Sequence, residues 1–279
     1  MSIRRPIPGE RLAAMAACAS RGDRVADIGT DHAQLPIFLL RQGVSRFAIL
    51  TDIREGPLSR AKENIFKAHA DARGVCDRVL TADGEYALRL GDGLSPIAKG
   101  EADIAFIAGM GGETIAKILE ADPEKTKSIG AYVLQPRTRQ DVLRTYVYGN
   151  KYYVIDENLV EENGRICEIL VAASAPVKMP CSEREAPASE TLLSEALNAP
   201  GCRANLRREE DARLLLPQIA QLRRLKEKNH PLLPRFVAEI IAEERKIAAG
   251  VALSRGADAK SRARLSELRI ELLTRASGD

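Results

Sequence analysis

Apolar residues along the chain fall into short runs that stop at glycine or an acid, and most of these runs are followed by a stretch with apolar residues at helical spacing. Val25 to Ile28, Phe47 to Thr51, Tyr86 to Leu90, Ile104 to Ala108 and Tyr132 to Leu134 read as buried strands. Leu12 to Ala19 reads as a helix ahead of the first strand. Ala33 to Gln42, Pro57 to His69, Thr114 to Leu119 and about 139 to 148 read as helices between strands; in Pro57 to His69 the stripe is Leu58, Ala61, Ile65 and Ala68. Tyr153 to Ile155 and Ile166 to Val171 add two further strands. Alternating strand and helix predicts an α/β, Rossmann-like fold with a parallel sheet and an antiparallel edge over residues 1–175.

Beyond Val171 the composition turns to Ala, Ser, Pro and Glu, and 176–202 reads as a linker or surface excursion. Helical spacing returns at about 203 to 228, with Pro217 expected to interrupt it, and Asn229-His230-Pro231 breaks the pattern. Val237, Ile240, Ile241, Ile247, Ala248 and Val251 then form one stripe, and Leu265, Leu268, Leu272 and Ala276 a second. Two amphipathic helices joined by a short turn predict an antiparallel hairpin of coiled-coil type, so 203–279 reads as a C-terminal helical domain.

The chemistry gathers where the strands end. Asp27 closes the first strand and Gly29 permits a tight turn before a helix whose amide end would face a ligand. A dinucleotide fingerprint would have glycine where Asp31 and Ala33 stand, and Asp31 would repel a pyrophosphate. An acid-lined pocket instead suits a cationic, phosphate-free adenosine ligand, for which S-adenosylmethionine is the common choice. Asp52 ends the second strand, some twenty residues after Gly29, where an acid reaches ribose hydroxyls. Asp92, between Gly91 and Gly93, could accept the exocyclic amine of adenine. Gly109, Gly111 and Gly112 after the fourth strand leave room for a flat substrate. Taken singly each has an ordinary reading: a turn for Gly29, a helix cap for Asp52, a turn aspartate for Asp92, a backbone-bonding turn residue for His32. Their conjunction on one sheet edge is what points to a site.

Composition refines the picture. Tryptophan is absent and aromatics make up 4%, so the core is aliphatic. The five cysteines, Cys18, Cys76, Cys167, Cys181 and Cys202, show no zinc or disulfide spacing, which suits reduced thiols in the cytoplasm and no metal. No run approaches the 18 or so apolar residues of a membrane span. The net charge of +3 conceals an asymmetry: residues 203–279 carry 17 Lys or Arg against 11 Asp or Glu, or +6, leaving −3 on the rest. A basic tail on an acidic body suggests a bound polyanion, or a solvated helix face.

Laid end to end, Val-Ala-Asp-Ile-Gly-Thr-Asp-His-Ala-Gln-Leu-Pro (25 to 36), Arg-Leu-Gly-Asp-Gly-Leu (89 to 94), Ile-Ala-Gly-Met-Gly-Gly (107 to 112) and Leu-Gln-Pro (134 to 136) resemble the bacterial tRNA adenine-N1 methyltransferases of the TrmK type. The resemblance covers residues 10 to 173. It extends to Glu161-Glu162 with Gly164-Arg165-Ile166, and to the helical tail with Lys226-Glu227-Lys228-Asn229. It implies a class I methyltransferase domain with a C-terminal coiled coil, S-adenosylmethionine as donor, tRNA as partner, and N1 of adenine 22 as target. Arg137 departs from the pattern, which has asparagine after Gln-Pro. On this reading Asp27, Gly29, Asp52, Asp92, Gly93 and Gly109 surround the cofactor, and Asp31, His32 and Asp92 are the candidates on the target side, with Asp92 open to either role. Arg203, Arg207, Arg208, Arg213, Arg223, Arg224, Lys226 and Lys228 form a basic tract for phosphates, with Arg207, Arg208, Arg223, Arg224, Lys226 and Lys228 as the leading candidates. A monomer is favoured. The rival readings are a small-molecule methyltransferase, which needs no basic tail, and a non-catalytic tRNA-binding protein, which needs no acids at strand ends.

Overall fold

A computed structural model describes residues 9–68, 73–75, 78–80, 85–181, 209–252 and 257–277. Strands β1 (Asp23–Ile28), β2 (Ser45–Asp52), β3 (Arg73–Val75), β4 (Arg78–Leu80), β5 (Glu85–Leu90), β6 (Ile104–Gly111), β7 (Ala131–Thr138), β8 (Tyr153–Glu162) and β9 (Arg165–Ala173) form one sheet. Their order is β3-β4-β5-β2-β1-β6-β7-β9-β8. Strands β5, β2, β1, β6 and β7 run parallel, while β9 is antiparallel to both β7 and β8. The parallel sheet with an antiparallel edge is as the sequence predicts, with an antiparallel β3–β4 extension added beyond β5.

Both sheet faces are covered, which is why the strands are near-continuous apolar runs. Val25, Ala48, Leu50 and Phe106 face helices α1 (Glu10–Ala16), α2 (Gln34–Arg41) and α3 (Glu55–Ala68), meeting Met15, Leu39, Leu40, Ala61 and Ile65. Ala26, Ile28, Ile49, Ala105 and Ile107 point the other way. They meet Ile115 and Leu119 of α4 (Gly112–Glu120) and Leu143 and Val147 of α6 (Gln140–Gly149). The short α5 (Pro123–Ser128) is capped by the Asp122 carboxylate, which accepts from Lys125 N at 3.0 Å.

The tail forms α7 (Glu209–Glu227), α8 (Leu233–Ala252) and α9 (Ala257–Ser277), with α8 and α9 packed on one another. Contrary to the sequence expectation, α7 runs unbroken through Pro217. The helix loses one hydrogen bond there, at a cost of about 3 kcal/mol. Leu215, Leu216, Ile219 and Ala220 are buried in the same core as α6, and each large side chain so buried returns about 1.5–3 kcal/mol. Leu159 of β8 gathers Leu222 and Leu225 of α7, Phe236 and Val237 of α8 and Leu273 of α9 into a second apolar cluster. Most of the expected linker, residues 182–202, lies outside the described residues.

Candidate active site at the carboxyl edge of the sheet

The strand order reverses at β1, which lies between β2 and β6, and a crevice at such a switch point is where open α/β sheets bind ligands. The chain past β1 turns at Gly29, whose φ of 74° favours glycine, and the Gly29 and Thr30 amides both donate to the Thr51 carbonyl, at 2.8 and 2.9 Å. A Cβ on Gly29 would overlap the Met110 methyl group arriving from β6. The positive φ is what makes the turn favour glycine, and a side chain there would also displace the Met110 methyl group at the ends of β1 and β6. The Gly91 amide donates to the Asp52 carbonyl at 3.0 Å, and Thr51 Oγ1 donates to the Gly93 carbonyl at 3.4 Å. These bonds fasten the ends of β1, β2 and β5 to one another.

Two acids face this crevice region. Burial pushes the Asp27 carboxyl up to about 6, and the neighbouring Thr30 hydroxyl offsets only part of the shift. That hydroxyl is itself buried without a hydrogen bond of good geometry. Asp52 is buried, and its Oδ1 accepts from Arg54 N at 2.8 Å. An under-satisfied hydroxyl, an acid held at a desolvation cost and a second acid one strand over suit a ligand that brings cationic and hydroxyl groups. Gly29, Asp52, Asp92 and Gly93 all lie at the strand ends on this side, and S-adenosylmethionine fits that donor set.

Asp92, open to two roles from sequence, lies in the turn after β5. That strand is three strands from β6, which is about 14 Å at the usual strand spacing. Asp31 and His32 are drawn together and toward α3. Asp31 Oδ1 accepts from Arg60 Nε at 2.9 Å, and Asp31 Oδ2 lies 3.2 Å from His32 Nε2. Asn64 Nδ2 donates to the His32 carbonyl at 3.2 Å. The Arg60 hydrogen bond holds the Asp31 carboxyl below its ordinary range, with burial opposing weakly and the His32 charge assisting. Asp31 can stabilise a nearby cation but is a poor proton acceptor.

The glycines of β6 also divide. Gly109 has φ 77° and open space where a Cβ would stand, so it can face a flat substrate. A Cβ on Gly112 would instead overlap the Arg139 carbonyl, so Gly112 serves close packing, a correction to its assignment as substrate space. Beside Gly109, Gln135 is buried at the end of β7, where its Oε1 accepts from Arg11 Nη1 at 3.2 Å and its Nε2 donates to the Pro136 carbonyl at 3.0 Å. Thr30, Met110 and Arg11 were missed from sequence. A hydroxyl or thioether beside a turn carries no distinctive signal, and Arg11 reaches Gln135 across 124 residues of chain.

Two members of the expected basic tract are engaged in holding the fold. Arg224 donates to the carbonyls of Val154 and Ile155, at 2.7 Å each. Lys228 pairs with the buried Asp156 and donates to the Glu157 carbonyl at 3.3 Å. Both clamp α7 and its following turn onto β8, so they are corrected from phosphate contacts to anchors. Lys226 is exposed and Arg223 half-buried, with no ion pair for either among the described residues, while Arg207 and Arg208 lie outside them. Among the described residues no group of His, Cys, Asp and Glu is arranged to hold a metal, and no helix is long and apolar enough to cross a membrane.

Residues 9–170 match the methyltransferase domain family. The tRNA (adenine(22)-N(1))-methyltransferase of Bacillus subtilis is 37% identical over 163 residues, which is 58% of this chain and 63% of that relative's length. The crystal structure of the B. subtilis M1A22 tRNA methyltransferase TrmK superposes with a TM-score of 0.72 at 26% identity, covering 98% of this chain and 100% of that one. A putative tRNA (m1A22) methyltransferase of Streptococcus pneumoniae, solved with S-adenosyl-L-methionine, has the same fold, with a TM-score of 0.66 at 24% identity and coverage of 98% and 100%.

Proposed function

Since the chain belongs to the methyltransferase domain family, we propose that it transfers a methyl group from S-adenosylmethionine to N1 of an adenine in tRNA, adenine 22 by analogy with its B. subtilis relative. The observation that carries the cofactor half is the half-buried Asp27, its carboxyl pushed up by desolvation, beside the buried Thr30 hydroxyl at the β1 switch point. The tRNA half rests on the named relative and on the fold shared over nearly the whole chain. The enzyme would act in the cytoplasm, where tRNA is available.

When bound, the cofactor supplies an electrophilic methyl group on a positively charged sulfur. Asp52 would accept the ribose hydroxyls, and Asp92 would stand near the adenine ring of the donor. Asp27, with Thr30 and the Gly29 turn, would set the electrostatics around the donor's charged end. Adenine N1 has a free lone pair once the base is unpaired, so the protein's work is to expose it and align it, and no strong base starts the transfer. Gly109 gives the flat base its space. Transfer would break the sulfur–methyl bond, leave neutral S-adenosylhomocysteine and place the positive charge on the base, where Asp31, its carboxyl held ionised, would stabilise it with His32 beside it.

Titration calorimetry with S-adenosylhomocysteine tests the cofactor half. One saturable site is expected, with affinity lowered on the order of tenfold or more in Asp52→Ala; no binding to the wild-type protein would contradict it.

A further inference from the structure

The reactive edge has its own pair of uncommitted cations. Most arginines there are committed: Arg139 pairs with Glu113 at 2.6 Å and Asp141 at 3.6 Å, Arg11 with Glu162 at 2.8 Å, and Arg235 with Glu161 at 2.9 Å. Arg137 and Arg165 are exposed and have no ion pair among the described residues. Glu162, which lies across the β8–β9 hairpin from Arg165, is taken by Arg11.

The register brings these two arginines to one place. Pairing of β7 with β9 runs to Leu134 opposite Leu170, so Arg137 lies three residues beyond it on one strand and Cys167 three before it on the other. Cys167 pairs with Val160, and Arg165 lies two residues further toward the hairpin turn. The Cys167 thiol feels both signs of charge: burial and the Glu162 carboxylate raise its pKa, while the charges of Arg11, Arg137 and Arg165 pull it back. Arg137 also stands between Pro136 and Thr138, which are opposite Met110 and Gly111 of the glycine edge.

We infer that Arg137 and Arg165 hold the phosphates flanking the target nucleotide, beside Gly109. This rests on the tRNA reading above. A guanidinium suits phosphate because its fork of donors matches two oxygens at once. It does not suit the reacting base, which becomes a cation on N1-methylation, so the guanidinium groups belong on the backbone side. Arg137 is also the position at which the resembled pattern has asparagine.

The test is tRNA affinity across a salt series for wild type, Arg137→Ala, Arg165→Ala and the double variant, with Arg→Gln versions should either alanine variant unfold. Titration with S-adenosylhomocysteine runs alongside on every protein. Each single variant is expected to weaken binding of an unmodified tRNA on the order of tenfold. The double variant is expected to flatten the slope of log Kd against log salt by about 2, one for each lost phosphate contact. Cofactor affinity stays at the wild-type level. Unchanged tRNA affinity and slope in the double variant, beside a wild type that binds, would overturn the phosphate pair alone. A wild type that neither binds nor methylates tRNA would overturn the substrate reading and this inference with it.

Discussion

Arg144→Met is expected to lower the unfolding free energy by about 3–5 kcal/mol, because it strands two buried carboxylates. Arg144 Nε donates to Glu157 at 3.0 Å and Nη2 to Glu168 at 2.6 Å, with the Tyr148 hydroxyl on Glu157 at 3.2 Å and Gln221 Nε2 on Glu168 at 2.8 Å. All five residues are buried, and they come from α6, β8, β9 and α7. Burial alone would pull the arginine's pKa down, but the two carboxylates outweigh it and raise it further. Denaturant unfolding followed by circular dichroism measures the loss, and Glu157→Gln with Glu168→Gln in the same chain should recover much of it. A loss below about 1 kcal/mol, the range of an exposed ion pair, would show that the cluster is solvated and does not lock α7 to the sheet.

Asp27→Asn is expected to make the ligand-free protein more stable near neutral pH and the cofactor site weaker. The folded carboxyl titrates near 6, above its ordinary 3.8, so the folded state holds the proton more tightly than the unfolded one. Its favourable contribution is complete below pH 3.8 and is lost as pH rises through about 6. Above that, the ionised acid costs up to about 3 kcal/mol, which asparagine avoids. A cationic ligand prefers the ionised acid, so affinity for S-adenosylmethionine should be full above pH 6 and decline below it, where binding must release one proton. In Asp27→Asn that dependence should vanish, and affinity at pH 8 should fall on the order of 10- to 100-fold. Thermal melts and calorimetry at several pH values read both effects. A variant that gains no stability and binds the cofactor as before would remove Asp27 from the site.

The parts of the fold legible in the sequence are those in which local pattern and tertiary environment agree. The central parts of β1, β2, β6 and β7 lie buried on both faces, so each carries a run of mostly apolar residues, and these strands and the half-buried β5 end near the glycine or acid that turns the chain at the ligand edge. The acids and glycines at the strand ends are legible for the same reason. Strand β8 was read only to Ile155 because Asp156 and Glu157 follow, yet it runs to Glu162. Those acids are tolerated because Lys228 and Arg144 meet them from other helices, and neighbouring sequence holds no sign of such distant partners. Strands β3 and β4 have three residues each, too few to show alternation, and α5 is polar on every side. The same limit governed the basic tail. Lys226 and Lys228 look alike in sequence and are both exposed, but only Lys228 pairs with a buried aspartate. Charge counts reveal a basic segment without saying which cations the fold itself consumes.

The central claim is methyl transfer to one ring nitrogen of one base, and its most direct test is incubation with labelled S-adenosylmethionine and an unmodified bacterial tRNA carrying adenine at position 22, followed by digestion and identification of the labelled nucleoside. The expected product is N1-methyladenosine, absent when adenine 22 is replaced by guanine. Cofactor binding without any transfer to tRNA would contradict the account and point to a small-molecule acceptor.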